Sequence, residues 1–244
     1  MAEAVTLASH GHVRVLQLDV DGKGQNRITP TWMTRVHACL DVVENDEDAT
    51  CLVTVANPTY FSTELDLKML LHSADVALDL VRRFHELLAR LLAFPKLTVA
   101  AVRGHAVAGG AMVALAHDYA LVAHDATLCF REIEIGISFT SGMQALVASK
   151  VTDRRGLLRD LLLTAMRCSG AQAVERGICD EVHLPEAHGD MVAHAVELVE
   201  RAGLRTYLPS VLQAIKEEMY QDALQKLRSS DVGSAWKVGR MAKL

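Results

Sequence analysis

Alternating strand and helix patterns place this chain in the α/β class, with a helical C-terminal region. Three stretches carry that assignment. Residues 13–19 read as a strand, Met33, Val36, Leu40 and Val43 recur at helical spacing, and residues 51–56 are again short and apolar. Strand, helix, strand in that order is a parallel crossover unit. Residues 97–102 form a β-branched run suited to a buried strand, and past Arg103-Gly104-His105 lies a small, apolar stretch around Gly109-Gly110. From Glu186 to the end the pattern is helical.

Taken in order, residues 5–8 and 13–19 are two strands joined at His10-Gly11, and residues 22–26 are a loop. Thr29 before Pro30 predicts an N-cap with proline at the first helical position. Residues 44–48 are an acidic, solvated turn. The segment from Tyr60 to Lys68 reads as a polar loop entering a helical region, and residues 74–94 as a long helix buried through Val81, Phe84, Leu88 and Leu91 and ended by Pro95. A helix is expected from Ala111. Residues 119–123 and 127–130 are short strands, the acidic segment 131–136 follows, and a further helix begins near Gly142. Ser169 and Gln172 fit a capping box, with Gly177 just beyond that helix. Residues 178–183 are a strand end or loop. A helix marked by Val192, Val196 and Val199 closes at Gly203, and another starts at Pro209 with Leu212, Ile215 and Met219 on one face.

The 244 residues, 50% hydrophobic and 23% charged, suit one globular unit. A net charge of −5 offers no basic excess for nucleic acid or an anionic membrane. Charged and polar breaks at Arg103, His105 and Asp118 argue against a bilayer span. Five cysteines without a CxxC pair read as reduced core thiols. The eleven histidines show no zinc spacing, so no metal site is expected. The N-terminus has no signal or transit pattern, while Ala242-Lys243-Leu244 fits the small–basic–leucine peroxisomal address.

A strand, a glycine turn and a helix start leave N–H groups aimed at one spot, fit for a phosphate, a carboxylate or a developing oxyanion. Gly109-Gly110 equally suits tight helix–strand packing. Three pieces decide the reading: Phe61-Ser62-Thr63-Glu64-Leu65-Asp66-Leu67-Lys68, Gly104 to Gly110 with Ala114 and Asp118, and the acidic loop at Glu132 and Glu134. In order and spacing they resemble the crotonase (enoyl-CoA hydratase/isomerase) superfamily, and within it the peroxisomal Δ3,Δ2-enoyl-CoA isomerases. The segment from Ser169 to Asp180 resembles that family's helix–turn after the core.

The resemblance implies a spiral of ββα units over residues 1–188 and a C-terminal helical region over 189–244, used in trimer or hexamer contacts. It implies an acyl-CoA substrate with no further cofactor, CoA arriving as part of the substrate, and import by a peroxisomal receptor. The backbone N–H groups of Leu65 and Gly109 would grip the thioester oxygen, each about 3–4 kcal/mol in stabilising an enolate. Glu132 would move the proton, and Ser62, Thr63, Glu64, Leu65, Asp66, Leu67 and Gly109 would bind substrate. Two positions depart from the family: Met112 stands where hydratases carry a first glutamate, and Glu64 where glycine is usual. One carboxylate suffices to shift a double bond, whereas hydration commonly uses two. The expected activity is therefore isomerisation, the alternatives being hydration, another acyl-CoA enolate reaction, or acyl-CoA binding without catalysis. By residue type alone Glu132 fits a surface carboxylate or helix cap better than a base, and Glu134 is the alternative base. Asp118 is expected to brace the fold.

Overall fold

The computed structural model describes residues 5–18, 24–56, 59–151, 156–203, 207–229 and 232. The C-terminal tripeptide Ala242-Lys243-Leu244 lies outside them. Strand β1 (Val5–His10) runs antiparallel to β2 (Val13–Leu18), their ladder extending to His10 opposite Val13, so the turn falls at Gly11-His12. Helix α1 (Pro30–Glu44) starts as expected, with the Thr29 hydroxyl accepting from the Trp32 N–H, and buries Met33, Val36, Leu40 and Val43.

Three successive turns of one pattern follow. Each has a strand in a large sheet, a short strand in a small sheet, and a helix. The first is β3 (Cys51–Val55), β4 (Tyr60–Ser62), the single turn α2 (Leu67–Leu70) and the long α3 (Ala74–Leu92). The second is β5 (Leu97–Val102), β6 (His105–Val107) and α4 (Gly109–Leu115). The third is β7 (Tyr119–Ala123), β8 (Thr127–Cys129) and α5 (Ser141–Lys150). An abbreviated turn precedes them, in which β2 and α1 flank Ile28, bridged in parallel to Leu65. The large sheet has the order β1-β2-β3-β5-β7-β10, with β10 at Glu181–His183, and is parallel from β2 onward, so every turn adds its strand at the same edge.

Two expectations are corrected here. Residues 60–62 and 105–107 are strands rather than loop and break, because β4 and β6 pair with each other and β6 with β8. Three-residue strands carry too little periodicity to be read alone. Helix α4 begins at Gly109 rather than Ala111.

Helix α6 (Leu157–Leu163), β9 (Cys168–Ser169), α7 (Gly170–Glu175) and β10 (Glu181–His183) complete the two sheets, and the Ser169–Gln172 capping box is present in both directions. Then come α8 (Pro185–His188), α9 (Met191–Arg201), α10 (Pro209–Met219) and α11 (Gln221–Arg228). Met191, Ala195, Val199, Leu224 and Leu227 belong to the same buried core as Val13 and Leu121, so the helices past residue 188 share the core of the spiral. Helix α10 reverses the expected face. Ile215 and Met219 are 52% and 65% exposed, whereas Lys216 is buried and reaches the carbonyls of Phe94 and Lys96 and the Asp118 carboxylate. Asp118 also accepts from the Thr98 N–H and hydroxyl, a bracing role. No helix among the described residues is long and apolar enough to cross a membrane.

Candidate active site

The two loops that resemble oxyanion loops meet through backbone. Ile28 donates to the Glu64 carbonyl at 3.2 Å and accepts from the Asp66 N–H at 3.1 Å. In such a parallel bridge the N–H of the residue between, Leu65, points away from Ile28. The Leu65 nitrogen lies beside the start of α4: a Cβ built on Gly109 would stand 3.6 Å from it. Neither the Leu65 nor the Gly109 N–H has an acceptor among the described residues. Gly109 opens α4, so its N–H is one of the unpaired donors of a helix start.

The glycine pair divides its labour. Gly110 donates to the Thr63 carbonyl at 2.9 Å, and a Cβ on it would stand 2.1 Å from the Ser62 carbonyl oxygen. Gly110 thus serves packing. Gly109 faces the cavity. The left-handed turn falls on neither: Ala108 has φ 51° and ψ −118°, a conformation costing an alanine about 1–3 kcal/mol.

Glu132 enters from the turn after β8. Its carbonyl accepts from the N–H groups of Ile135 and Ile137, which curls the segment so that the side chain points inward. The residue is 6% exposed, and its Oε2 has no hydrogen-bond partner among the described residues. Burial pushes the carboxyl up to about 8, with the nearby Glu64 charge adding to the rise and its own N–H and Arg131 opposing it. It lines a cavity of about 30 Å³ together with Glu64, Leu65, Gly109 and Met112, space for roughly two waters. Leu67, Phe84 and Met143 add apolar wall. Ile137 and Ser138 are shared with an open apolar groove of about 680 Å³, bordered by Phe139, Leu158 and Leu162.

The structure sorts the expected site residues. Glu64, Leu65, Leu67, Gly109 and Glu132 surround the cavity, and Ser62, Thr63 and Asp66 do not. The Ser62 hydroxyl is fully buried and donates to the Asn26 carbonyl at 2.7 Å, and Asp66 caps α2. Glu134 is turned outward onto Arg167 at 2.9 and 3.0 Å. In a turn, residues two apart need not share a face. Met112 lines the cavity at the position of the hydratases' first glutamate, and its thioether transfers no proton. Glu64, expected both to bind substrate and to depart from the family's glycine, is a second carboxylate on the cavity wall.

The arrangement offers two backbone donors for a developing oxyanion, one deeply buried base, and an apolar groove beside them. Comparison with known proteins gives the family. Residues 10–233 match the family described as enoyl-CoA hydratase/isomerase. A curated relative, the Arabidopsis thaliana peroxisomal enoyl-CoA delta isomerase 2, is 30% identical over 225 residues, 89% of this chain and 92% of the relative. A putative enoyl-CoA hydratase of Thermus thermophilus is also 30% identical, over 85% of this chain and 80% of its own length. The human mitochondrial delta3-delta2-enoyl-CoA isomerase, 21% identical, shares the fold at a TM-score of 0.82 over 91% of this chain and 85% of that one. The chain therefore belongs to the enoyl-CoA hydratase/isomerase family, with its crotonase-type spiral of ββα units.

Proposed function

We propose that the protein is a Δ3,Δ2-enoyl-CoA isomerase of fatty-acid β-oxidation. The observation that supports this most is a buried Glu132 lining one cavity with Met112, not a carboxylate, and with Leu65 and Gly109, whose N–H groups have no acceptor among the described residues. In this reading the thioester oxygen of a 3-enoyl-CoA sits between the two donors. Glu132 takes a proton from C2, the electron pair moves into a dienolate held on that oxygen, and the same carboxyl returns the proton to C4. The result is the 2-trans-enoyl-CoA. A carboxyl raised to about 8 is a stronger base than an ordinary glutamate and shuttles a proton both ways near neutrality. The acyl chain lies in the apolar groove that adjoins the cavity at Ile137 and Ser138. No redox cofactor or metal takes part in the reaction.

Glu64 favours a second reading, hydration, since it puts another carboxylate on the cavity wall. Turnover of 3-enoyl-CoA and hydration of 2-enoyl-CoA, measured side by side with the wild type and Glu64→Gln, separate the two. Isomerisation far ahead of hydration and surviving in Glu64→Gln is expected. Comparable rates, with hydration lost in the variant, would replace isomerisation by hydration.

The exposed apolar face of α10, with Leu208, Val211, Ile215 and Met219, supports a trimer or hexamer built through the C-terminal helices. A peroxisomal location rests on Ala242-Lys243-Leu244 and on the name of the Arabidopsis relative. Deleting the three residues from an N-terminally tagged protein should abolish import.

A further inference from the structure

Away from the cavity, three histidines converge from three elements: His183 at the end of β10, His188 at the end of α8, and His194 in α9. We propose that His183, His188 and His194 form a binding site for a divalent metal of zinc-like preference, clamping β10 to the two helices that follow.

One ring nitrogen from each residue lies within 4.8 Å of the others. His183 and His194 are buried and His188 is half-buried, which leaves an entry path past His188. The hydrogen bonds assign the tautomers. Glu181 Oε1, which can only accept, sits 2.9 Å from His194 Nε2, so the proton is there and His194 Nδ1 carries a lone pair. His188 Nδ1 accepts from the Leu184 N–H at 3.0 Å, so its lone pair reaches a metal only by giving up that bond. His183 Nδ1 faces His194 Nδ1 at 3.1 Å. Two nitrogens on one tetrahedral zinc stand roughly 3.3 Å apart. Without a metal, one proton must fill the gap between His183 and His194. A divalent cation takes its place and releases that proton, and rotation of the His188 ring, stacked 3.9 Å from His194, out of its Leu184 hydrogen bond brings the third nitrogen in.

A second feature points the same way. Metal-binding histidines are usually held from behind by a carboxylate that fixes the tautomer. Glu181 does this for His194, and Glu181 is itself held by Arg201 at 2.6 Å. Neutral imidazoles favour zinc, copper or nickel over magnesium or calcium. The H-x4-H-x5-H spacing crosses a strand and two helices, so no single-helix motif discloses it.

The test uses the full chain, stripped by chelator and titrated with zinc sulfate in equilibrium dialysis, beside His188→Gln, His194→Gln and Glu181→Gln. His188→Gln alters a half-buried ring, and circular dichroism checks its fold. The expected result is one zinc per wild-type chain with a raised melting temperature. Affinity should fall at least about tenfold in each histidine variant and about 10–100-fold in Glu181→Gln. Cobalt in zinc's place should give the visible absorption of a tetrahedral site. Isomerase turnover should be the same with and without zinc, because none of the three histidines lines the cavity. Uptake well below one zinc per chain, or uptake equal in wild type and folded His188→Gln, would overturn the proposal.

Discussion

Glu132 sets the pH behaviour of the site. A base must be ionised in the free enzyme, so kcat/KM for isomerisation should climb with pH through about 8 and level off above it. Glu64→Gln removes a charge that helps raise Glu132, so the limb should move toward lower pH. An unmoved limb would mean that the two carboxylates do not sense each other. Glu132→Gln should lose roughly 10²–10⁴-fold in turnover while keeping acyl-CoA binding. The same substitution should stabilise the fold. The folded carboxyl is raised above its ordinary value of 4.5, so its contribution to stability is fully present below that value and is lost as pH rises through about 8. Thermal melts should show the Gln variant ahead by a few kcal/mol at most near pH 9 and level with wild type near pH 5. How much of this was legible differs by residue. Glu132 stood out only through the family's spacing, because a lone Glu in a turn looks like any solvated carboxylate. Its companion Glu64 was expected among the substrate-binding residues, but not as a carboxylate beside Glu132, since which way a loop side chain points depends on neighbours far along the chain.

At the level of elements, the turn from β6 into α4 separates two glycines that look alike in sequence. Gly110→Ala forces a Cβ against a backbone carbonyl at 2.1 Å, and backbone there is fixed by two strands. The variant should lose 3 kcal/mol or more, on the order of the largest single-site losses, or fail to fold. Gly109→Ala meets the Ile28 side-chain tip at 3.0 Å, which can shift. It should fold, with a much smaller drop in melting temperature, while the added methyl beside the Leu65 nitrogen lowers kcat. Equal stability of the two variants would show that the close approach at Ser62 is not rigid. The strand and helix halves of this turn were readable from β-branched and small-residue runs. The positive φ at Ala108 was not, because alanine carries no marker for it and glycine stood next to it.

Across the whole molecule, the C-terminal helices are fastened by buried charge as well as by apolar packing. Lys216 and Asp118 pair at 2.6 Å with side chains 4% and 14% exposed. Lys216→Met leaves Asp118 charged and unmatched, and should cost about 3–5 kcal/mol, whereas the double variant with Asp118→Asn should recover part of that loss. Denaturant melts of the two variants check it, and a double variant no better than the single one would contradict the pairing. The α/β class and the helical C-terminus were legible because their periodicities are long. The inverted face of α10 was not, since a pattern of Leu212, Ile215 and Met219 marks an apolar side without saying whether this chain or another covers it. The strand order of the large sheet bears on how the molecule comes into being. A ribosome delivers the chain from its N-terminus, and here each new turn finds the previous strand already waiting as a template, so the spiral can assemble stepwise as it emerges. Lys216 arrives 98 residues after Asp118. Until then the carboxylate and the carbonyls of Phe94 and Lys96 must stay hydrated, so the nascent spiral remains open to water at that end until α10 is delivered.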